Sequence, residues 1–319
     1  MRAPREGMRS FRLTLKWSTA AVCLLLWVPS GLPAGAWTLP KGKVWAKATY
    51  FQQRTDEWYL ASPGFDGELF TAGTRRPYRF NGEYDSKVVF LEAFYGVTDR
   101  LDLGVQLPFF DQVFDDDTRL EPPSDSGFSD IRLFAKLNAL QKPVLVTFKG
   151  GVKMPTGDFV NVDGLIPVGE GQWDFDFVVQ VARSFWPLPV YANVDIGYRV
   201  RLRNDQIFRD PGDEWLFNGE VGLNLTRRLL LATKVELLRG TAGTDFGFKN
   251  TSQIKRITYL SPTIMYNVHG GTTAELAYRF TINGRNFPAG KQLAVGLSQN
   301  LYFGRYSKGF DRPITAAVG

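Results

Sequence analysis

Along residues 188–203 (LPVYANVDIGYRVRLR) apolar and polar side chains alternate with a period of two. Val190, Ala192, Val194, Ile196, Tyr198, Val200 and Leu202 share one parity; Tyr191, Asn193, Asp195, Gly197, Arg199, Arg201 and Arg203 share the other. Successive side chains of an extended strand point to opposite faces, so the pattern predicts a strand with one greasy face and one ionised face. Taken in order, similar runs predict about twelve strands. They cover residues 44–51, 86–95, 101–109, 129–138, 144–153, 173–184, 190–203, 215–226, 229–238, 254–266, 272–282 and 291–303.

The connections alternate as well. Links after odd-numbered runs are mostly long and polar, such as 52–82, 111–127 and 154–172, whereas links after even-numbered runs are tight turns. Transmembrane β-barrels have this asymmetry, with long loops outside and short turns on the periplasmic side. A soluble sandwich would show alternating strands too, but it has no reason to segregate its loops. Most runs also approach the roughly 9–11 residues that a tilted strand needs to cross a bilayer. The pattern therefore predicts an all-β protein: a transmembrane antiparallel β-barrel of about twelve strands, with long extracellular loops and short periplasmic turns.

Aromatic residues fall near the strand ends, where membrane-interface girdles are expected: Trp45, Tyr50, Tyr95, Phe109, Trp173, Phe185, Trp186, Trp215 and Phe303. Core packing would use aromatics too, but without this preference for the ends. Run 254–266 is the irregular one. Its apolar residues occupy both parities and Pro262 lacks a ladder donor, which predicts a bulge or a ten-strand variant.

The chain ends divide it into three parts. Residues 1–36 read as a secretory signal peptide: Arg2, Arg5, Arg9, Arg12 and Lys16, then the apolar stretch 19–28, then Ala34-Gly35-Ala36 as a cleavage pattern. Residues 37–303 form the expected barrel and 304–319 a tail. No later stretch reaches the roughly 18 apolar residues of a membrane helix. The whole chain carries 38 Lys and Arg against 32 Asp and Glu, a net of +6. Without the leader this falls to about +2, too little to suggest nucleic acid as a partner. The single cysteine, Cys23, lies in the leader, so no disulfide framework is available to the exported chain.

If the apolar parity meets lipid, the polar parity lines the interior. It carries Lys47, Glu92, Asp102, Asp130, Arg132, Lys149, Asp174, Asp176, Asp195, Arg199, Arg201, Glu220, Lys234, Glu236, Glu275 and Arg279, with Lys136, Lys153 and Arg203. Arg or Lys at the lipid midplane costs about 2–4 kcal/mol, so these residues are expected inside. One reading is a cross-braced interior that keeps the barrel round; the other is a selectivity lining. The near balance of the two signs favours bracing, since a balanced lining selects neither ion sign. About twelve strands fall between barrels filled by side chains and open porins, which predicts a narrow or gated path. The loop 154–172 is long enough to fold inward and constrict it.

Catalytic and metal chemistry find little support. The only histidine, His269, lies in a turn, and a turn histidine is more often solvated than a general base. Asp115, Asp116, Asp117 and Glu121 lack calcium-loop spacing and read as a solvated acidic loop. No cofactor is expected.

Several short blocks resemble those of the outer-membrane transporter family labelled "Putative MetA-pathway of phenol degradation". They are Tyr95-Gly96-Val97-Thr98-Asp99-Arg100-Leu101, Gly127-Phe128-Ser129-Asp130-Ile131, Lys153-Met154-Pro155-Thr156-Gly157-Asp158, Gly169-Glu170-Gly171-Gln172-Trp173-Asp174 and Asn283-Gly284-Arg285-Asn286. The resemblance implies an exported barrel associated with uptake of small, often aromatic or hydrophobic compounds, without defined catalytic residues. The expectation is thus a non-enzymatic, monomeric channel in an outer membrane, surrounded by lipid and lipopolysaccharide. The alternative is a barrel that transports nothing and serves as a structural or docking element.

Overall fold

The computed structural model describes residues 35–61, 72–159 and 167–302. Most of the expected leader, Phe303 and the tail lie outside the described residues. Twelve strands make one closed antiparallel wall: β1 (Lys43–Thr55), β2 (Glu83–Thr98), β3 (Leu101–Asp115), β4 (Ile131–Leu140), β5 (Leu145–Met154), β6 (Asp174–Ser184), β7 (Val190–Arg201), β8 (Glu214–Asn224), β9 (Leu229–Gly240), β10 (Arg256–His269), β11 (Thr272–Arg285) and β12 (Lys291–Tyr302). Each pairs with its sequence neighbours, and β1 pairs with β12 from Lys43↔Tyr302 to Arg54↔Lys291. Closure leaves no open edge, so backbone donors and acceptors in the wall find partners within the sheet.

Exposure follows parity. On β7, Ile196 is 52% exposed on the outer face, whereas Asn193 is 7% and Arg201 5% exposed on the inner face. Side chains opposite one another inside are often of opposite charge: Lys47 faces Glu92, Arg199 faces both Asp176 and Glu214, and Glu220 faces Lys234. Such cross-strand pairs help fix register, because a one-residue slip would turn every charge outward.

Loops after odd strands carry structure of their own. Ser124–Phe128 pairs with the outer end of β3. Short strands Glu57–Tyr59, Arg75–Pro77 and Phe287–Pro288 form one small sheet, and Arg209–Asp210, Gly243–Asp245 and Phe248–Asn250 another. Links after even strands are tight, as expected.

The irregular run resolves into β10, a full member of the wall. Its register to β11 slips twice: Thr258 faces Asn283 while Tyr259 faces Thr281, leaving Ile282 as a bulge in β11, and Asn267 faces Thr273 while His269 faces Thr272, leaving Val268 as a bulge in β10. Pro262 points outward, where a missing donor disturbs only the β11 side. Two apolar clusters explain why its apolar residues occupy both parities. Ile257 and Tyr259 pack inward with Tyr59 and Ala289 under the outer loops, and Met265 packs inward with Leu230 and Ala232 near the other end.

Two sequence expectations are corrected. The seventh strand stops at Arg201, so Arg203 is not a lumen residue; it is exposed beside Asp205 and the Phe208 ring. Trp45 belongs to the inner parity of β1 and packs on Phe94, so it is no part of the outer girdle. The outward aromatics Tyr50, Tyr95, Phe109, Trp173, Phe185, Trp186 and Trp215 are exposed.

Placing a cation on the outer face should be costly. Ile196→Arg is expected to destabilise the barrel by about 2–4 kcal/mol, as for a cation at the lipid midplane. Equilibrium urea unfolding in lipid vesicles measures this directly, and a change near zero would mean that the outer face is not in lipid.

Candidate functional site

The interior is organised in three levels, from the end with tight turns (inner) to the end with long loops (outer). At the inner end, residues 35–42 turn back into the barrel mouth before β1 begins. The Leu39 N–H donates to both oxygens of Asp102, at 3.0 and 3.1 Å, and the Lys41 N–H donates to Asp99 Oδ1 at 2.9 Å. A Cβ at Gly96 would lie 2.4 Å from the Pro40 carbonyl oxygen, so this turn needs glycine for close approach. Deeper in, Lys136 Nζ donates to the carbonyls of Gly35 at 2.8 Å and Trp37 at 2.7 Å. The Trp37 ring then meets Tyr191 edge-on at 5.8 Å. The segment therefore crosses the mouth from β1 and β2 to β7.

Near the middle lie two adjoining cavities of about 240 and 430 Å³. Both are lined by Glu92, Lys149, Gln180 and Asp195. Gln106 donates to Glu92 at 2.8 Å, and Gln180 and Asn193 donate to Asp195 at 3.1 and 3.0 Å. Lys149 Nζ stands 4.0 Å above the Phe134 ring, a cation–π contact. On the opposite wall, Lys47 and Lys234 share Glu275 at 2.8 and 3.7 Å, and Lys234 also reaches Glu220 at 3.5 Å. Arg279 pairs with Glu236 at 2.8 Å and covers the Tyr259 ring at 3.6 Å.

The outer end holds the densest charge cluster. Lys153 Nζ lies 2.8 Å from Asp174 and 3.4 Å from Asp130, and all three side chains are almost wholly buried. Arg201 spans Glu214 at 3.1 Å and Glu170 at 2.7 Å. Arg199 binds Asp176 at 2.6 Å and Glu214 at 3.0 Å, and Arg132 reaches Asp176 at 3.2 Å. Glu170 arrives from the loop after β5 and also contacts Lys153. That loop is seated by backbone bonds: the N–H groups of Gly157 and Glu170 donate to the two oxygens of Asp130, at 3.1 and 3.0 Å. Residues 160–166, in the middle of the same loop, lie outside the described residues.

The sixteen residues taken from the alternation are placed in these three levels, in ion pairs, in hydrogen bonds or against the cavities. Three participants escaped the pattern. Glu214 precedes the run 215–226 by one residue but shares parity with Glu220, so extending that run would have found it. Glu170 sits in a loop, where period two gives no signal. The lumen segment 35–42 lacks alternation altogether.

The family described as "Putative MetA-pathway of phenol degradation" matches residues 46–297. The chain belongs to this family. Four of the five quoted blocks are the seats of the two inward segments: the block at 95–101 holds residues 38–42, and those at 127–131, 153–158 and 169–174 build the outer cluster. The crystal structure of an outer membrane channel from Pseudomonas putida F1 is similar, with a TM-score of 0.71 and 17% identity over 85% of this chain and 100% of that one. The KdgM porin (TM-score 0.43, 6% identity, 81% and 99% covered) and the NanC porin (TM-score 0.47, 9% identity, 80% and 100% covered) also align. No curated protein sequence matches the chain. This member of the family thus folds as a closed twelve-strand β-barrel similar to that of an outer membrane channel.

Two predictions concern the outer cluster. Lys153→Met leaves Asp130 and Asp174 buried without their shared cation, and should cost about 3–5 kcal/mol. Arg203→Ala, at the exposed position, should change the urea midpoint little, by at most about 0.5 kcal/mol. Equal costs for the two would contradict the assignment.

Burial opposes ionisation of Glu170, but Arg201 and Lys153 outweigh it and hold this loop carboxyl well below the usual carboxylate range. A depressed folded-state pKa gives stability that is present above the unfolded value of about 4.3 and is lost only as pH falls through the folded value. Protease cleavage of the loop after β5 should therefore be no faster at pH ~5 than at pH ~7. Glu170→Gln should be cut faster at both. Opening of the wild-type loop by pH ~5 would contradict the pairing.

Proposed function

We propose that the barrel is a narrow channel for small solutes, up to the size of a single-ring aromatic compound. One observation carries this reading: the two adjoining cavities form an unfilled, charged stretch in mid-wall that shares Glu92, Lys149, Gln180 and Asp195. A barrel that only needed bracing could fill that space with side chains. Cations lie over aromatic faces there and nearby, Lys149 on Phe134, Lys136 on Phe94 and Arg279 on Tyr259. Such surfaces suit a solute with a ring and a polar or acidic substituent, in keeping with the family's association with phenol breakdown.

A second reading, a sealed barrel that conducts nothing, draws on the occupation of both ends by the chain's own segments. The two readings separate in a planar bilayer. Protein refolded from a chain starting at Lys41 should conduct several-fold better than one starting at Gly35, because the inner segment has been removed. Lys149→Glu should shift the reversal potential towards cations, since the shared wall of both cavities loses its one cation and becomes more negative. If the shortened protein passes neither ions nor benzoate, the barrel is sealed and the channel reading fails.

A further inference from the structure

The lumen segment includes two residues that the small-residue pattern assigns to the leader. Ala34-Gly35-Ala36 favours a cut after Ala36, because both Ala34 and Ala36 are small. A cut after Ala34 also leaves alanine next to the broken bond, although the residue two places earlier is Leu32.

The structure gives Gly35 and Ala36 a built seat. Ala36 has no exposed surface at all. Its N–H donates to Asn193 Oδ1 at 3.1 Å, and its carbonyl accepts from the hydroxyl of Thr147, itself fully buried. Asn138 in turn donates to Thr147 at 2.9 Å. The Gly35 carbonyl accepts from Lys136 at 2.8 Å. Gly35 has a φ of +63°, and a Cβ there would fall 2.1 Å from Asn193 Oδ1, so the position accepts only glycine. Strand residues from β4, β5 and β7 thus converge on two residues that a cut after Ala36 would discard. That cut would strip partners from Thr147, Asn193 and Lys136 together, leaving buried polar groups unmet.

We propose that the signal peptidase cuts between Ala34 and Gly35, so that the mature chain begins Gly-Ala-Trp. Water adds across the Ala34–Gly35 peptide bond, leaving a carboxylate on Ala34 and an α-ammonium on Gly35. Gly35 lines the inner cavity with Asp102, Lys136 and Asp195, so the new ammonium adds one positive charge to the lumen. Residues 35 and 36 are therefore part of the working barrel, and the leader ends two residues earlier than its motif suggests.

N-terminal sequencing of the protein isolated from outer membranes of the expressing cells decides the matter. The expected start is Gly-Ala-Trp-Thr; a start at Trp37, or at any residue after Gly35, overturns the proposal. A variant supplies an independent readout. With the cut after Ala34, position 36 lies on the mature side, so Ala36→Leu should still be processed and begin Gly-Leu-Trp. Accumulation of unprocessed Ala36→Leu precursor overturns the proposal, because a leucine at position 36 interferes with cleavage where that position lies on the leader side of the cut. Both readouts concern processing alone and are independent of whether the barrel conducts.

Discussion

In hydrocarbon no water is present to satisfy a peptide group, and the rest of this structure depends on that constraint. An open sheet would expose a row of unpaired donors and acceptors along each edge, at several kcal/mol per group. Joining β1 to β12 removes the edges. Closure then assigns every side chain to one of two solvents, and the period-two alternation decides which. Ionised residues have nowhere to go but inward, where they must find partners among themselves or water.

The interior meets that demand unevenly. At the outer end Lys153, Arg201, Arg199 and Arg132 are shared among five carboxylates, tightly enough that several members are almost fully buried. Buried ion pairs are weak evidence for stability, since desolvation offsets much of the attraction. Their clearer effect is to position chain: Asp130 and Glu170 anchor the loop after β5, while Asp102 and Lys136 anchor the segment before β1. Between these two closures the lining loosens into cavities. The same chemistry thus braces the wall, seats the segments that narrow it and leaves a charged space in the middle.

Much of this was legible in the residues. Alternation along β7 located the polar inner face, the successive runs predicted the twelve strands, and the long-short rhythm of the links recurs in the structure. What period two could not show was where chain leaves the wall and folds inward. Glu170 and residues 35–42 act through backbone hydrogen bonds and close approach, which have no hydrophobic period. Trp45 misled because an aromatic near a strand end is equally suited to a girdle or to a lumen mouth, and only its parity with Lys47 separates the two. Arg203 misled for the opposite reason: its parity is right, but the strand ends at Arg201. Conversely, the apolar residues on both faces of β10 were a true signal of local packing at the two ends of the strand, not of a missing strand.

The sole cysteine lies in the expected leader, which makes single-cysteine labelling clean. The most direct test of the account replaces Asp195 or Ile196 by cysteine in the barrel reconstituted in lipid vesicles, then adds a charged, membrane-impermeant thiol reagent of small size. The Asp195→Cys protein should react, because its thiol faces the charged cavity, while the adjacent Ile196→Cys thiol should stay protected in lipid. Reaction at position 196 with protection at 195 would contradict the assignment of faces on which the whole reading rests.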